Sequence, residues 1–231
     1  MNGLQKTGGV AALIMAGTWL VAFAVFLAVL APAGYLAEGI APAEKARIIV
    51  DNQASASIGY LLPYVLWGIL QVVLSLALYE RVKAGAPAMA QTATAIGLLW
   101  AGLVIASGFV ATLGIRKVVD LHGTDPAQAA SLWASVETVA MALGGGAGEV
   151  LGGSWLLLIG WAALRARALP RALSYLGLVL GAAGVLTVVP SLEPAGFLFG
   201  LGFIVWWVWL GIAILRGSLR AEARTPATEL A

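Results

Sequence analysis

The stretch QTATAIGLLWAGLVIASGFVATLGI (residues 91–115) runs for twenty-five residues without one charged side chain. As an α-helix rising 1.5 Å per residue it reaches roughly 37 Å, enough to cross a hydrocarbon core of about 30 Å. Five more runs of this kind flank it, at about 10–31, 56–79, 146–165, 172–190 and 196–215. Together they predict an all-α, polytopic transmembrane bundle of six spans. No charged or Pro/Ser-rich linker divides the chain, so residues 1–231 read as a single integral membrane domain. The first run follows Lys6 and precedes Ala31-Pro32-Ala33, like a secretory leader. Its length exceeds the 7–15 apolar residues of a leader core, so it is read as a retained span.

Composition agrees with a lipid environment. Hydrophobic residues make up 61% of the chain and charged residues 10%, with a mean hydropathy of +0.96, whereas soluble domains carry about 25% charged residues. There is no cysteine, which removes disulfides, thiolate metal sites, iron–sulfur clusters and cysteine nucleophiles. The net charge is +2, and the basic residues sit in short groups at the ends of apolar runs, a membrane pattern that gives no footprint for nucleic acid.

Lys and Arg placement sets the expected threading. With six spans, Lys6, Arg81, Lys83, Arg165, Arg167, Arg171, Arg216, Arg220 and Arg224 fall on one side, nine against the four of Lys45, Arg47, Arg116 and Lys117. This bias predicts a multi-pass protein of the cell inner (plasma) membrane with both termini cytoplasmic and the segments 32–55 and 116–145 outside. Each outer segment opens with helix-start chemistry. In residues 41–53 Pro42 provides it, and in 125–143 Asp125 stands as N-cap before Pro126. Two short amphipathic helices on the outer face are therefore expected. In the second, Ala129, Leu132, Trp133, Val136, Val139 and Ala140 share a face from which Glu137 is excluded, making Glu137 a solvated or headgroup-level carboxylate. Whether residues 126–143 lie on the membrane or enter the bundle stays open at this level.

Within the spans, GEVLGGSWLLLIGWAALRARALPRALSYLGLVLGAAGVL (148–186) resembles a bacterial six-span family known as domain of unknown function 4386. The resemblance rests on the Gly- and Glu-bearing start of the fourth span, the basic loop with Leu169-Pro170, and a Gly-rich fifth span. It implies a fold and a membrane location and carries no activity.

Gly144, Gly148 and Gly152 recur at spacing four, with Gly153 on the neighbouring row, which suits close helix packing in lipid. A dinucleotide fingerprint fails, since the third glycine would fall at Leu151 and no strand precedes it. Glu149 is the one carboxylate inside a predicted span. Intramembrane ionisable groups are functional candidates, yet Glu149 lies only about 4.5 Å below its span's start, where the positive end of its helix stabilises it. Both readings stand. On the second span Tyr60, Tyr64, Trp67, Gln71, Ser75 and Tyr79 form one polar and aromatic stripe that should turn from lipid. These residues read either as interface anchors and interhelical hydrogen bonds or as the wall of a pocket with Glu149.

Several chemistries are absent. His122 is the sole histidine and no Lys falls within a span. There is no HExxH or GxSxG, and spans one, three, five and six hold no acid, which argues against a proton pump. No metal site, cofactor or catalytic constellation is predicted. The leading expectation is binding or transport of a small molecule or lipid through an outward-facing pocket of Glu149, Tyr60, Tyr64, Trp67 and Gln71. The alternative is a structural or accessory subunit packing through its glycine rows, as a homo-oligomer or against another membrane protein.

Overall fold

The computed structural model describes residues 3–192 and 194–222, and among these the side chains of all but 146–148 and 218–222. Arg224 and the side chain of Arg220 lie outside that set, as do the surroundings of Gly148. The described residues form nine α-helices and no strand. These are α1 (Gly3–Val25), α2 (Pro42–Asp51), α3 (Gln53–Tyr60), α4 (Trp67–Val82), α5 (Pro87–His122), α6 (Pro126–Gly144), α7 (Gly146–Ala166), α8 (Arg171–Leu186) and α9 (Ala195–Glu222).

Five helical stretches are long and apolar enough to cross a membrane: Gly3–Leu30, Gln53–Val82, Pro87–His122, Pro126–Ala166, which is interrupted by a turn at Gly145, and Ala195–Gly217. Arg171–Leu186 is apolar but shorter. The protein is an all-α bundle of membrane-spanning helices. Several ends differ from those read off the apolar runs. α5 continues past residue 115 through Arg116, Lys117 and Asp120 because nothing stops the backbone before Gly123. α8 ends at Leu186, four residues before the predicted 190, giving a rod of roughly 24 Å.

Two helical stretches widen into π-helical turns, Phe26–Leu30 after α1 and Leu61–Leu66 between α3 and α4. Pro63 explains the second. It has no N–H to offer the Gly59 carbonyl and its ring crowds the preceding turn, so the ladder loosens there without breaking. The start of α6 follows expectation, since the Asp125 carboxylate accepts from the Gln128 N–H at 2.9 Å with Pro126 beside it. A single residue, Gly145, separates α6 from α7.

Packing falls into two compact units. One comprises Met1–Ala16, Leu70–Leu99 and Glu149–Ala231. Here α7 and α8 meet backbone to backbone: a Cβ added at Gly153 would lie 2.6 Å from the Gly181 carbonyl oxygen and 2.7 Å from the Val185 nitrogen. The missing side chains let the helices approach closely, which is how helices gain contact in lipid. Trp206 packs edge-on to Trp155 with ring centroids 5.8 Å apart and donates its indole N–H to the Leu173 carbonyl at 3.1 Å. It fills the interior of this unit and Trp209 is exposed.

The other unit comprises Gly17–Ile69 and Trp100–Gly148. Its interior holds α2 against α6, with Ile48, Ile49, Ala129 and Trp133 almost fully buried. Ser107 donates to the Ala140 carbonyl at 2.8 Å, tying α5 to α6. A Cβ at Gly144 would fall 2.5 Å from Ser107 Oγ and from a Tyr64 ring carbon, so Gly144 marks a close approach of α6 to α5 and to the Leu61–Leu66 turn.

Candidate functional site

The second unit contains a pocket of about 530 Å³ built by several pieces of chain. The two π-helical turns and their flanks contribute Phe26, Tyr60 and Tyr64, the turn after α1 contributes Tyr35 to Ala37, and α2 and α6 contribute Lys45, Glu137 and Met141. Gly39 and Ile40 complete the wall. π-helical turns inside α-helices are frequent at functional sites. Here both present aromatic rings to one cavity. Tyr60 lies 5.6 Å from Tyr64 and edge-on to Phe26 at 6.5 Å.

Glu137 anchors the polar end of the pocket. Its Oε1 accepts from the Tyr35 hydroxyl at 2.8 Å and from Lys45 Nζ at 2.9 Å, and its Oε2 accepts from Lys45 Nζ at 2.9 Å. Trp133 Nε1 donates to the Tyr35 oxygen at 3.0 Å, which leaves the Tyr35 proton directed at Glu137. The Lys45 ammonium also lies 5.2 Å from the centroid of the Tyr35 ring. Burial pushes the Tyr35 phenol far above its usual range, with the hydrogen bond to the Glu137 carboxylate acting in the same direction. Tyr35 therefore stays a donor at any physiological pH. The side chains of Lys45 and Glu137 are 28% and 22% exposed, so the pair is largely withdrawn from water. The Tyr60 hydroxyl makes no hydrogen bond among the described residues, although Tyr60 is buried and lines the cavity.

Glu137 is therefore paired and mostly covered and not freely solvated, the solvated state being one of the two readings of it from sequence beside a headgroup-level carboxylate. A helical wheel drawn on α6 alone leaves Glu137 off the apolar face. The covering groups come from Lys45 and Tyr35, 92 and 102 residues away, and no pattern local to α6 announces them.

The sequence-predicted residues divide. Tyr60 and Tyr64 line the pocket together, and Trp67, in the same unit, packs edge-on to Trp100 at 4.6 Å. Glu149 is not among the lining residues. It sits in the first turn of α7 with its carboxylate against Gly196, near the start of α9, where a Cβ would be 3.0 Å from Glu149 Oε1. That position matches a helix-terminus carboxylate. Gln71 is fully buried in its own unit, donating to Ser75 Oγ at 3.2 Å, with its oxygen unpartnered among the described residues. Gly153 meets α8 as described, and Gly152 is buried. Sequence reasoning missed Lys45, Glu137 and Tyr35. The signal within reach was Pro63, a helix-distorting residue beside two tyrosines in an apolar span.

Among the described residues no cluster of His, Asp and Glu is arranged to hold a metal ion. What fold and pocket define is a helical multi-pass membrane protein with an aromatic cavity closed at one end by an ion pair. The family described as Domain of unknown function (DUF4386) matches residues 9–216, and the chain belongs to it. No curated protein and no solved structure matches the chain.

Proposed function

We propose that the protein binds a small amphiphilic molecule, a lipid or lipid-like compound, in the pocket bounded by Tyr60, Tyr64 and the Glu137–Lys45 pair. The supporting observation is the polar end of that cavity. Lys45 already neutralises Glu137, so an isolated cation or anion gains little there, whereas a hydroxylated or zwitterionic head finds both signs of charge and the Tyr60 hydroxyl. Phe26, Tyr60, Tyr64 and Met141 suit the apolar body of such a ligand. The large exposed side chains along α9, among them Phe197, Leu201 and Val205, are what contact with lipid tails requires and call for no protein partner.

A thermal-shift screen of polyols, zwitterionic lipids and amines on purified protein tests this reading. Zwitterionic or hydroxylated amphiphiles should stabilise the wild type, by about 2.7 kcal/mol at a hundredfold excess over Kd. Tyr60→Phe should abolish that shift and Glu149→Gln should keep it. Equal shifts in wild type and Tyr60→Phe would exclude the pocket, and loss of the shift in Glu149→Gln would move the site to that carboxylate.

The charge bias supports a cytoplasmic location for both termini and an external one for the segments carrying Lys45 and Glu137. Cytoplasmic reporter fusions after the C-terminus and near Arg167 should be active, and fusions near Gln53 or His122 inactive. An external C-terminus would overturn six-span threading.

A further inference from the structure

Independently of the Tyr60 pocket, we infer that the turn between α7 and α8 is a binding site for the phosphate of an anionic membrane lipid. A pocket of about 260 Å³ opens there, lined by Ala163, Leu164, Arg167, Leu169 and Arg171. Neither guanidinium group has an ion-pair or hydrogen-bond partner among the described residues. Two guanidinium groups without a carboxylate, both lining one cavity, form an oxyanion site.

The backbone that carries them is held firmly. The Arg167 N–H donates to the Leu164 carbonyl at 3.3 Å and the Ala168 N–H to the Ala163 carbonyl at 3.0 Å, the paired bonds of a Schellman helix end. Arg81 from α4 donates to the Ala168 carbonyl at 3.3 Å, and a Cβ at Gly85 would lie 2.5 Å from the Ala166 Cα. The turn is thus clamped against the end of α4.

The residue at the left-handed position of this helix end is itself informative. Arg167 has φ of 49°, a region that normally belongs to glycine at such an end. It is the one non-glycine residue with positive φ among those described. A chain rich in glycine elsewhere places a long cation at the point where glycine would be cheaper, and strain of this kind accompanies sites.

Depth selects the source of the phosphate. The apolar runs of α7 and α8 both end at this turn, so in a bilayer it lies at headgroup level. Arg81, bonded to both Gln5 and Ala168, draws the chain's start and this turn to the same end of the unit, and Arg216 on α9 belongs to that end, since a Cβ on the adjoining Gly217 would lie 4.0 Å from Arg81 Nη2. Such a basic end attracts anionic headgroups, and the pocket fixes one of them.

Native mass spectrometry of the full chain in mild detergent, titrated with phosphatidylglycerol, phosphatidylcholine or inorganic phosphate, tests the site. Wild type should bind phosphatidylglycerol well above phosphatidylcholine, whose phosphate is balanced by its own choline. Arg167→Gly with Arg171→Gln should weaken phosphatidylglycerol binding roughly thirtyfold. This variant should fold, because glycine relieves the left-handed position. Arg171→Gln alone, which leaves the turn untouched, should weaken it roughly fivefold. The matched pair Arg165→Gln with Arg216→Gln removes two equally unpaired charges outside the pocket and should weaken binding far less. Equal losses in the two double variants would reduce the effect to diffuse attraction and overturn the site. So would unchanged affinity in Arg171→Gln, or inorganic phosphate competing as well as the lipid binds.

Discussion

Lys45→Met should cost the folded protein about 3 kcal/mol, because it leaves the Glu137 carboxylate withdrawn from water with only the Tyr35 hydroxyl to answer it. The size follows from an asymmetry. A partly buried ion pair roughly repays its desolvation while intact, but removing one partner leaves the other's desolvation uncompensated. The double variant Lys45→Met with Glu137→Leu should therefore recover most of the loss. A thermal melt of the two single variants and the double variant, read as a mutant cycle, gives the coupling directly. If Lys45→Met melts with wild type, the pair is solvated and its part in shaping the pocket is wrong.

Gly153→Leu should be at least as damaging, at about 3 kcal/mol, the upper end of what overpacking costs. The reason is what the new side chain would meet. At 2.6–3.0 Å stand the Gly181 oxygen, the Val185 nitrogen and the Gly184 carbonyl carbon, all backbone, so no rotamer change makes room and α8 must move away. Gly17→Ala provides the contrast. Nothing lies within 4 Å of a Cβ there, and alanine in a helix interior is favoured by up to about 1 kcal/mol. Melting temperatures in detergent should fall steeply for the first variant and hold or rise for the second. A Gly153→Leu protein as stable as wild type would mean that α7 and α8 are not in backbone contact.

The bundle was legible because lipid demands it: twenty uncharged residues in a row have few other destinations. The fine ends were less so, since a helix stops where a breaker falls and not where apolarity does. α5 ran on through three charged residues to His122, just before Gly123, and α8 stopped at Leu186 although Val188 and Val189 follow. The stripe on the second span was read from spacing alone, and Tyr60, Trp67, Gln71 and Ser75 are indeed buried.

The pocket was half legible. Its two tyrosines stood out in the stripe, but the carboxylate chosen for them was the one inside a predicted span. Glu137 was read as a solvated or headgroup-level carboxylate, not as part of a site, because its partners come from Lys45 on α2 and Tyr35 in the preceding turn, both in an outer segment far from it in sequence. Pairing across about a hundred residues leaves no trace in local periodicity. The shape of the cavity depends besides on two π-helical turns. Of these only the second has a visible cause, Pro63.

Native mass spectrometry of gently solubilised wild type beside Tyr60→Phe and Glu137→Gln bears most directly on the proposed binding role. Wild type should carry a co-purifying amphiphile of a size that a cavity of about 530 Å³ can hold, in one copy per chain, and both variants should lose it while remaining folded. The same adduct at equal occupancy in all three proteins would contradict a ligand held by Tyr60 and Glu137.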